Sequence, residues 1–165
     1  MTAAPAPATG FVPANPDFAA RVRDSFARQP FMDHIGARIT ALAPGFCEIA
    51  LQSRRELTQQ HGFVHGGVLA SIADSAAGYA AFSLMPAEAT VLTVEYKLNL
   101  LRPGDGEAMI ARGRVVKPGR TLFVVQADVF ARKGGKEEQV LASLQTLMRL
   151  DGRTDDAAGA PGRGR

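Results

Sequence analysis

The chain moves between two hydrophobic periods. Near its start Phe18, Val22 and Phe26 recur four residues apart. "DFAARVRDSFARQ" (17–29) therefore reads as a short amphipathic helix, ended by Pro30. "HIGARITALA" (34–43) and "FCEIALQ" (46–52) flank Pro44 and Gly45 and predict a hairpin. From residue 90 onward four strands are expected, "TVLTVEYKLNLL", "GEAMIARGRVV", "TLFVVQADVFAR" and "EQVLASLQTLMRL". Their separators, "RPGD", "KPGR" and "KGGK", are turn chemistry. In the third of them Phe123, Val125, Ala127 and Val129 alternate with Leu122, Val124, Gln126 and Asp128. That is the pattern of an antiparallel sheet with one face buried and one wet.

A different pattern separates the hairpin from these strands. Residues 66–84 are small or apolar nearly all the way round, with Val68, Leu69, Ile72, Ala73, Ala76, Ala77, Ala80, Ala81 and Phe82. As a helix this stretch is about 28 Å long. A helix apolar on all sides has to be surrounded. Ser71, Asp74, Ser75, Gly78 and Ser83 make it too polar, and it is rather short, for a membrane span. The predicted fold class is α+β, a curved antiparallel sheet of about six strands wrapped around one long central helix.

Composition fits one domain. Of 165 residues, 46% are hydrophobic and 21% charged, an ordinary globular balance. The net charge is +3 and the cations are dispersed, which argues against a nucleic-acid groove. "MTAAPAPATGFVPANP" lacks the basic and apolar regions of a signal peptide, so 1–17 reads as a flexible leader. The expected domain spans 18–150, and 151–165 reads as a disordered tail. The one cysteine, Cys47, cannot form an intramolecular disulfide and is expected to be buried and inert. A cytoplasmic location is the corresponding expectation.

Between Glu56 and Glu88, Asp74 is the only residue with a formal charge, histidines aside. A carboxylate among apolar residues resists ionisation, so its pKa should rise. One reading is a structural acid held by Ser71, Ser75 or a strand residue; the other is a nucleophile or general base in an apolar cleft. Gly66 and Gly67 stand at the predicted helix N-terminus, where N–H groups lack intrahelical acceptors. They make either a tight turn or an oxyanion hole. Asp74, two turns on, is expected to face the same cleft. His61 and His65 do not carry the helical zinc motif, because Gly62 occupies the place of its glutamate. His65 is expected to shape the turn through hydrogen bonds. No phosphate loop, dinucleotide fingerprint or nucleophile elbow is present.

"LTQQHGFVHGGVLASIADSAAGYA", followed by "VEYKLNLLRPG" and a later "GR" turn, resembles the hotdog-fold thioesterases, and within them the PaaI-like branch. The resemblance covers about residues 31–150. It implies a hotdog fold and an acyl-CoA thioesterase working as a homodimer or homotetramer, with sites combining residues from two subunits. By the same resemblance Asp74 is the catalytic acid, Gly66 the oxyanion donor and Gln59 a residue near the thioester and attacking water. Thr93 falls where some relatives place a Ser or Thr from the partner subunit. Gly78 departs from the Thr found there in some aryl-CoA enzymes. Gly67, Arg102, Lys117 and Arg120 are assigned to the CoA portion of the substrate, with the three cations together at the cleft mouth. No metal and no redox cofactor is required, and neither nucleic acid nor membrane is an expected partner. The alternative is a non-catalytic hotdog module that binds acyl-CoA or a related ligand.

Overall fold

The computed structural model describes residues 7–153. Six strands form one antiparallel sheet: β1 (Arg38–Ala43), β2 (Phe46–Gln52), β3 (Ala89–Leu100), β4 (Ala108–Lys117), β5 (Leu122–Lys133) and β6 (Lys136–Asp151). Their spatial order is β1-β2-β4-β5-β6-β3, which leaves β1 and β3 at the two edges. Three helices accompany them, α1 (Phe18–Ala27), α2 (Pro30–Ile35) and α3 (Gly66–Phe82). This is the hotdog architecture.

The alternation expected in β5 holds, with Phe123, Val125, Ala127 and Val129 buried against α3. On β4 the same inner face has Gly113 beneath the helix. A Cβ there would lie 2.3 Å from the Ala76 carbonyl oxygen, so only glycine lets the helix come this close to the sheet.

Two expectations need correction. Pro30 does more than end α1; it opens α2, where its fixed φ and missing N–H suit the first turn. The sheet also does not surround α3 completely. Ala73, Ala76, Ala77 and Ala80 are buried, whereas Gly67, Ser71, Asp74, Ser75 and Gly78 retain solvent exposure. Those five recur every three or four residues, so they form one stripe along the helix.

Of the expected leader, residues 7–17 are described. The Thr9 hydroxyl donates to the Pro44 carbonyl, Phe11 packs on the core, and Ala14 N–H donates to Leu84 O at 3.3 Å. β6 takes Asp151 as its last residue. Residues 1–6 of the expected leader and 154–165 of the expected tail lie outside the described residues. No helix among the described residues is long and apolar enough to cross a membrane.

Candidate active site

Asp74 lies on the open stripe of α3. Its partner is neither Ser71 nor a cation. The Ser71 hydroxyl turns back to the Gly67 carbonyl at 2.7 Å, and Thr93 Oγ1 donates to Asp74 Oδ1 at 2.8 Å. Thr93 reaches Asp74 within one chain, whereas the resemblance had implied a Thr from the partner subunit. It stands at a bulge in β3, where the register with β6 shifts between Thr93 and Glu95. A bulge of this kind re-aims a side chain. Burial pushes the Asp74 carboxyl above its ordinary range, and the Thr93 hydrogen bond acts in the opposite direction.

Asp74 and Thr93 open onto a cavity of about 340 Å³ that also reaches Gly78, Tyr79, Phe82 and Gln29. The α1 contribution was not foreseen. Tyr79 is 5% exposed, and its hydroxyl is met by Ser25 Oγ at 3.1 Å and Gln29 Nε2 at 2.7 Å. A tyrosine in a helix that must be buried needs a partner for its hydroxyl, and that was the available signal.

The N-terminus of α3 forms a second hollow. His65 is the N-cap residue, and its Nδ1 accepts the Gly67 N–H at 2.8 Å. Gly67 is thereby occupied. Gly66 N–H has no protein acceptor among the described residues. Leu100 Cδ1 would lie 2.9 Å from a Cβ at Gly66, so a side chain there would crowd the strand. Gln59 stands nearby in a tight loop, its carbonyl accepting Gly62 N–H and its own N–H donating to Phe63 O, both at 2.9 Å. Its side-chain oxygen accepts the His61 N–H. Gln59, His61, Gly66, Leu69, Leu100 and Arg102 line a hollow of about 470 Å³.

Gly66 and Gln59 therefore come together, and so do Asp74 and Thr93, but the two pairs do not meet in one chain. Gly66 and Asp74 are eight residues apart on one helix, about 12 Å along its axis. Within one chain Asp74 and Gly66 therefore line different hollows. The cations are divided likewise. Arg102 is at the Gly66 end, where its Nε pairs with Glu138 Oε1 at 2.9 Å. Lys117 and Arg120 belong to the turn at the other end, because Leu122 pairs with Met148, which pairs in turn with Leu92 beside Thr93. From the level of Thr93 to that of Leu100 is about 20 Å of strand.

Among the described residues no three His, Cys, Asp or Glu side chains gather as a metal site would require. Cys47 is fully buried, and burial drives its thiol strongly upward, as an inert core position should.

Comparison with known proteins agrees with this architecture. The sequence model of the Thioesterase superfamily matches residues 61–138. A thioesterase family protein from Silicibacter pomeroyi is 53% identical, covering 82% of this chain and 99% of that one, with a TM-score of 0.81. The E. coli PaaI protein from the phenylacetic acid degradation operon shares the fold at 19% identity, covering 86% of this chain and 99% of that one, with a TM-score of 0.76. A protein from Saccharolobus solfataricus named as a candidate esterase is 28% identical over 109 residues, 66% of this chain and 72% of its own length. The superfamily match spans the helix with Asp74, the relative at 53% identity extends the likeness over most of the fold, and the chain belongs to the thioesterase superfamily.

Proposed function

We propose that the protein hydrolyses acyl-CoA thioesters to the free acid and CoA, and that it does so as a homodimer. The observation that carries the reading is the Asp74–Thr93 pair, a carboxyl raised by burial and opening onto a cavity. In this mechanism the thioester carbonyl accepts a hydrogen bond from Gly66 N–H, which strengthens as the oxygen becomes anionic. Asp74 takes a proton from water as that water attacks the carbonyl carbon, with Gln59 orienting it. The C–S bond then breaks, and the departing CoA sulfur receives the proton from Asp74. A direct attack by the Asp74 carboxylate, forming a mixed anhydride that water later opens, uses the same groups. Single-turnover hydrolysis in ¹⁸O-water tests the second route, because water opening the anhydride at the Asp74 carbon leaves ¹⁶O from Asp74 in the acid and ¹⁸O on Asp74, an outcome the general-base route does not give.

Two features of the single chain support the dimer. Gly66 and Asp74 of one chain are too far apart to act on one carbonyl, and β3 is an edge strand that pairs only with β6 among the described residues and exposes Leu92, Val94, Tyr96 and Leu100. Antiparallel pairing of two β3 edges about a two-fold axis between Tyr96 and Lys97 sets Thr93 of one chain opposite Leu100 of the other. Gly66 packs on Leu100, so Asp74 of one copy meets Gly66 and Gln59 of its partner. The same operation carries Arg102 of one copy toward the sheet end that bears Lys117 and Arg120 of the other.

Thiol release from a panel of acyl- and aroyl-CoAs tests the activity, with Asp74→Asn as the decisive variant. Turnover is expected to fall by about 10³-fold or more. Stability moves the other way. The folded state holds the Asp74 proton more tightly than the unfolded chain, whose value is near 3.8. Ionised Asp74 therefore costs stability once the pH rises past that window, and Asp74→Asn should melt no lower than wild type at pH 7. Near-normal turnover in the variant refutes the assignment.

A further inference from the structure

Three glycines in or beneath α3 occupy very different surroundings. Gly66 and Gly113 are each hemmed in, as described above. Gly78 is the reverse case, since no heavy atom comes within 4 Å of where its Cβ would be. It stands in mid-helix, where glycine is a poor helix former relative to alanine. Packing does not require it. The space beside it is the cavity that runs from Asp74 toward Tyr79 and Phe82.

That cavity has a direction. Along α3 it begins at Asp74, passes Gly78 one turn later and reaches Phe82 after another. Phe82, Val91 and Leu92 give it apolar walls, and Ser25, Gln29 and Tyr79 close it from the α1 side. A group bonded to the carbonyl carbon and directed along the helix must pass over Gly78.

We propose that Gly78 is a specificity-determining position, its missing side chain making the room that admits an acyl group larger than acetyl, with an apolar body, along α3. The proposal rests on the thioesterase reading for the identity of the ligand. A methyl at residue 78 narrows the path beyond Asp74, and an isopropyl group narrows it further.

The test uses non-hydrolysable thioethers, S-ethyl-CoA and S-hexyl-CoA, titrated calorimetrically into wild type, Gly78→Ala and Gly78→Val. Wild type is expected to bind the hexyl compound at least about tenfold more tightly than the ethyl compound. Gly78→Ala should reduce that preference and Gly78→Val abolish it. Because the glycine is a helix defect, Gly78→Ala should also raise the melting temperature by roughly 2–4 °C, so a changed preference in it is not a sign of unfolding. No preference in wild type, or one that persists in both variants, overturns the proposal. Hydrolysis is scored separately on acetyl-CoA and hexanoyl-CoA. If the hexyl preference appears and disappears as expected while neither ester is cleaved, the pocket stands and the catalytic reading falls.

Discussion

The two edges of the sheet are built differently. β1 has six residues, none of them among the large exposed hydrophobics, and α1 packs beside it, with Phe26, Ala37 and Ile39 lining a hollow of about 290 Å³ there. Its neighbours are tied together on the outer face. The Thr40 hydroxyl donates to Glu48, Arg112 bridges Glu48 and Glu137, and Arg132 also donates to Glu137, each by a contact of 2.7 Å. β3 is twice as long, pairs only with β6 among the described residues, and exposes Leu92, Val94, Tyr96 and Leu100. An uncovered apolar edge invites pairing unless something blunts it. One edge is finished within the chain. The other carries Thr93 against Asp74 and leaves an apolar edge that the proposed second copy would cover.

Breaking the β3 edge should have the largest effect. Val94→Asp combined with Tyr96→Asp introduces like charges on both copies, and light scattering should then report a monomer. Because each Asp74 loses its partner's Gly66 donor, kcat/KM should fall by about 10²–10³-fold. Arg38→Asp on β1 is the matched control and should change neither mass nor rate. A fully active monomer would sink the two-chain site.

Thr93 sharpens the same contrast at the level of one hydrogen bond. Thr93→Val keeps the shape and removes the bond that lowers the Asp74 pKa. The acid limb of the pH–rate profile should therefore move to higher pH, with about a tenfold loss on that limb. An unmoved limb means that Asp74 does not set it. A smaller effect is expected at the end of the sheet shared with Thr93. Lys117→Ala with Arg120→Ala should raise KM several-fold on acyl-CoA and leave kcat nearly intact. An equal loss on a short pantetheine thioester would mean that they do not read the phosphates.

The charged network on the outer face of the sheet should respond in stability alone. The Arg112 hydrogen bonds hold Glu137 below its ordinary range of about 4.5. Its contribution is therefore present above that value and lost as the pH falls through the lower folded one. Glu137→Gln should cost about 0.5–1.5 kcal/mol at pH 7 by thermal melting, with unchanged turnover.

Much of this was legible in the residues. Period-two alternation gave the strands, and the all-round apolar stretch gave the central helix. Asp74 stood out because burial is written into its neighbours. What escaped was position in space. The turn that enters a strand and the turn that leaves it lie at its opposite ends, so "RPGD" before β4 and "KPGR" after it had to separate, and Arg102 could not join Lys117 and Arg120 in one chain. Eight helical residues likewise fix Gly66 and Asp74 about 12 Å apart, a length available from the sequence alone. The Thr93–Asp74 contact was harder, because it depends on a bulge and on a pairing between distant segments. Pro30 reads equally well as a stop or a start.

Helix α1 is fastened to the core by Arg21, which donates to the Met85, Pro86 and Ala89 carbonyls and lies 3.9 Å over the Phe82 ring. It contributes Ser25, and the turn that follows it contributes Gln29, to the Asp74 cavity, yet both lie outside residues 61–138, where the superfamily pattern matches. Asp74 and part of the wall of its cavity are thus written in separate stretches of the gene. Grafting the corresponding helix of a relative, with Arg21 retained as the anchor, would retune acyl preference without touching the helix that carries the acid.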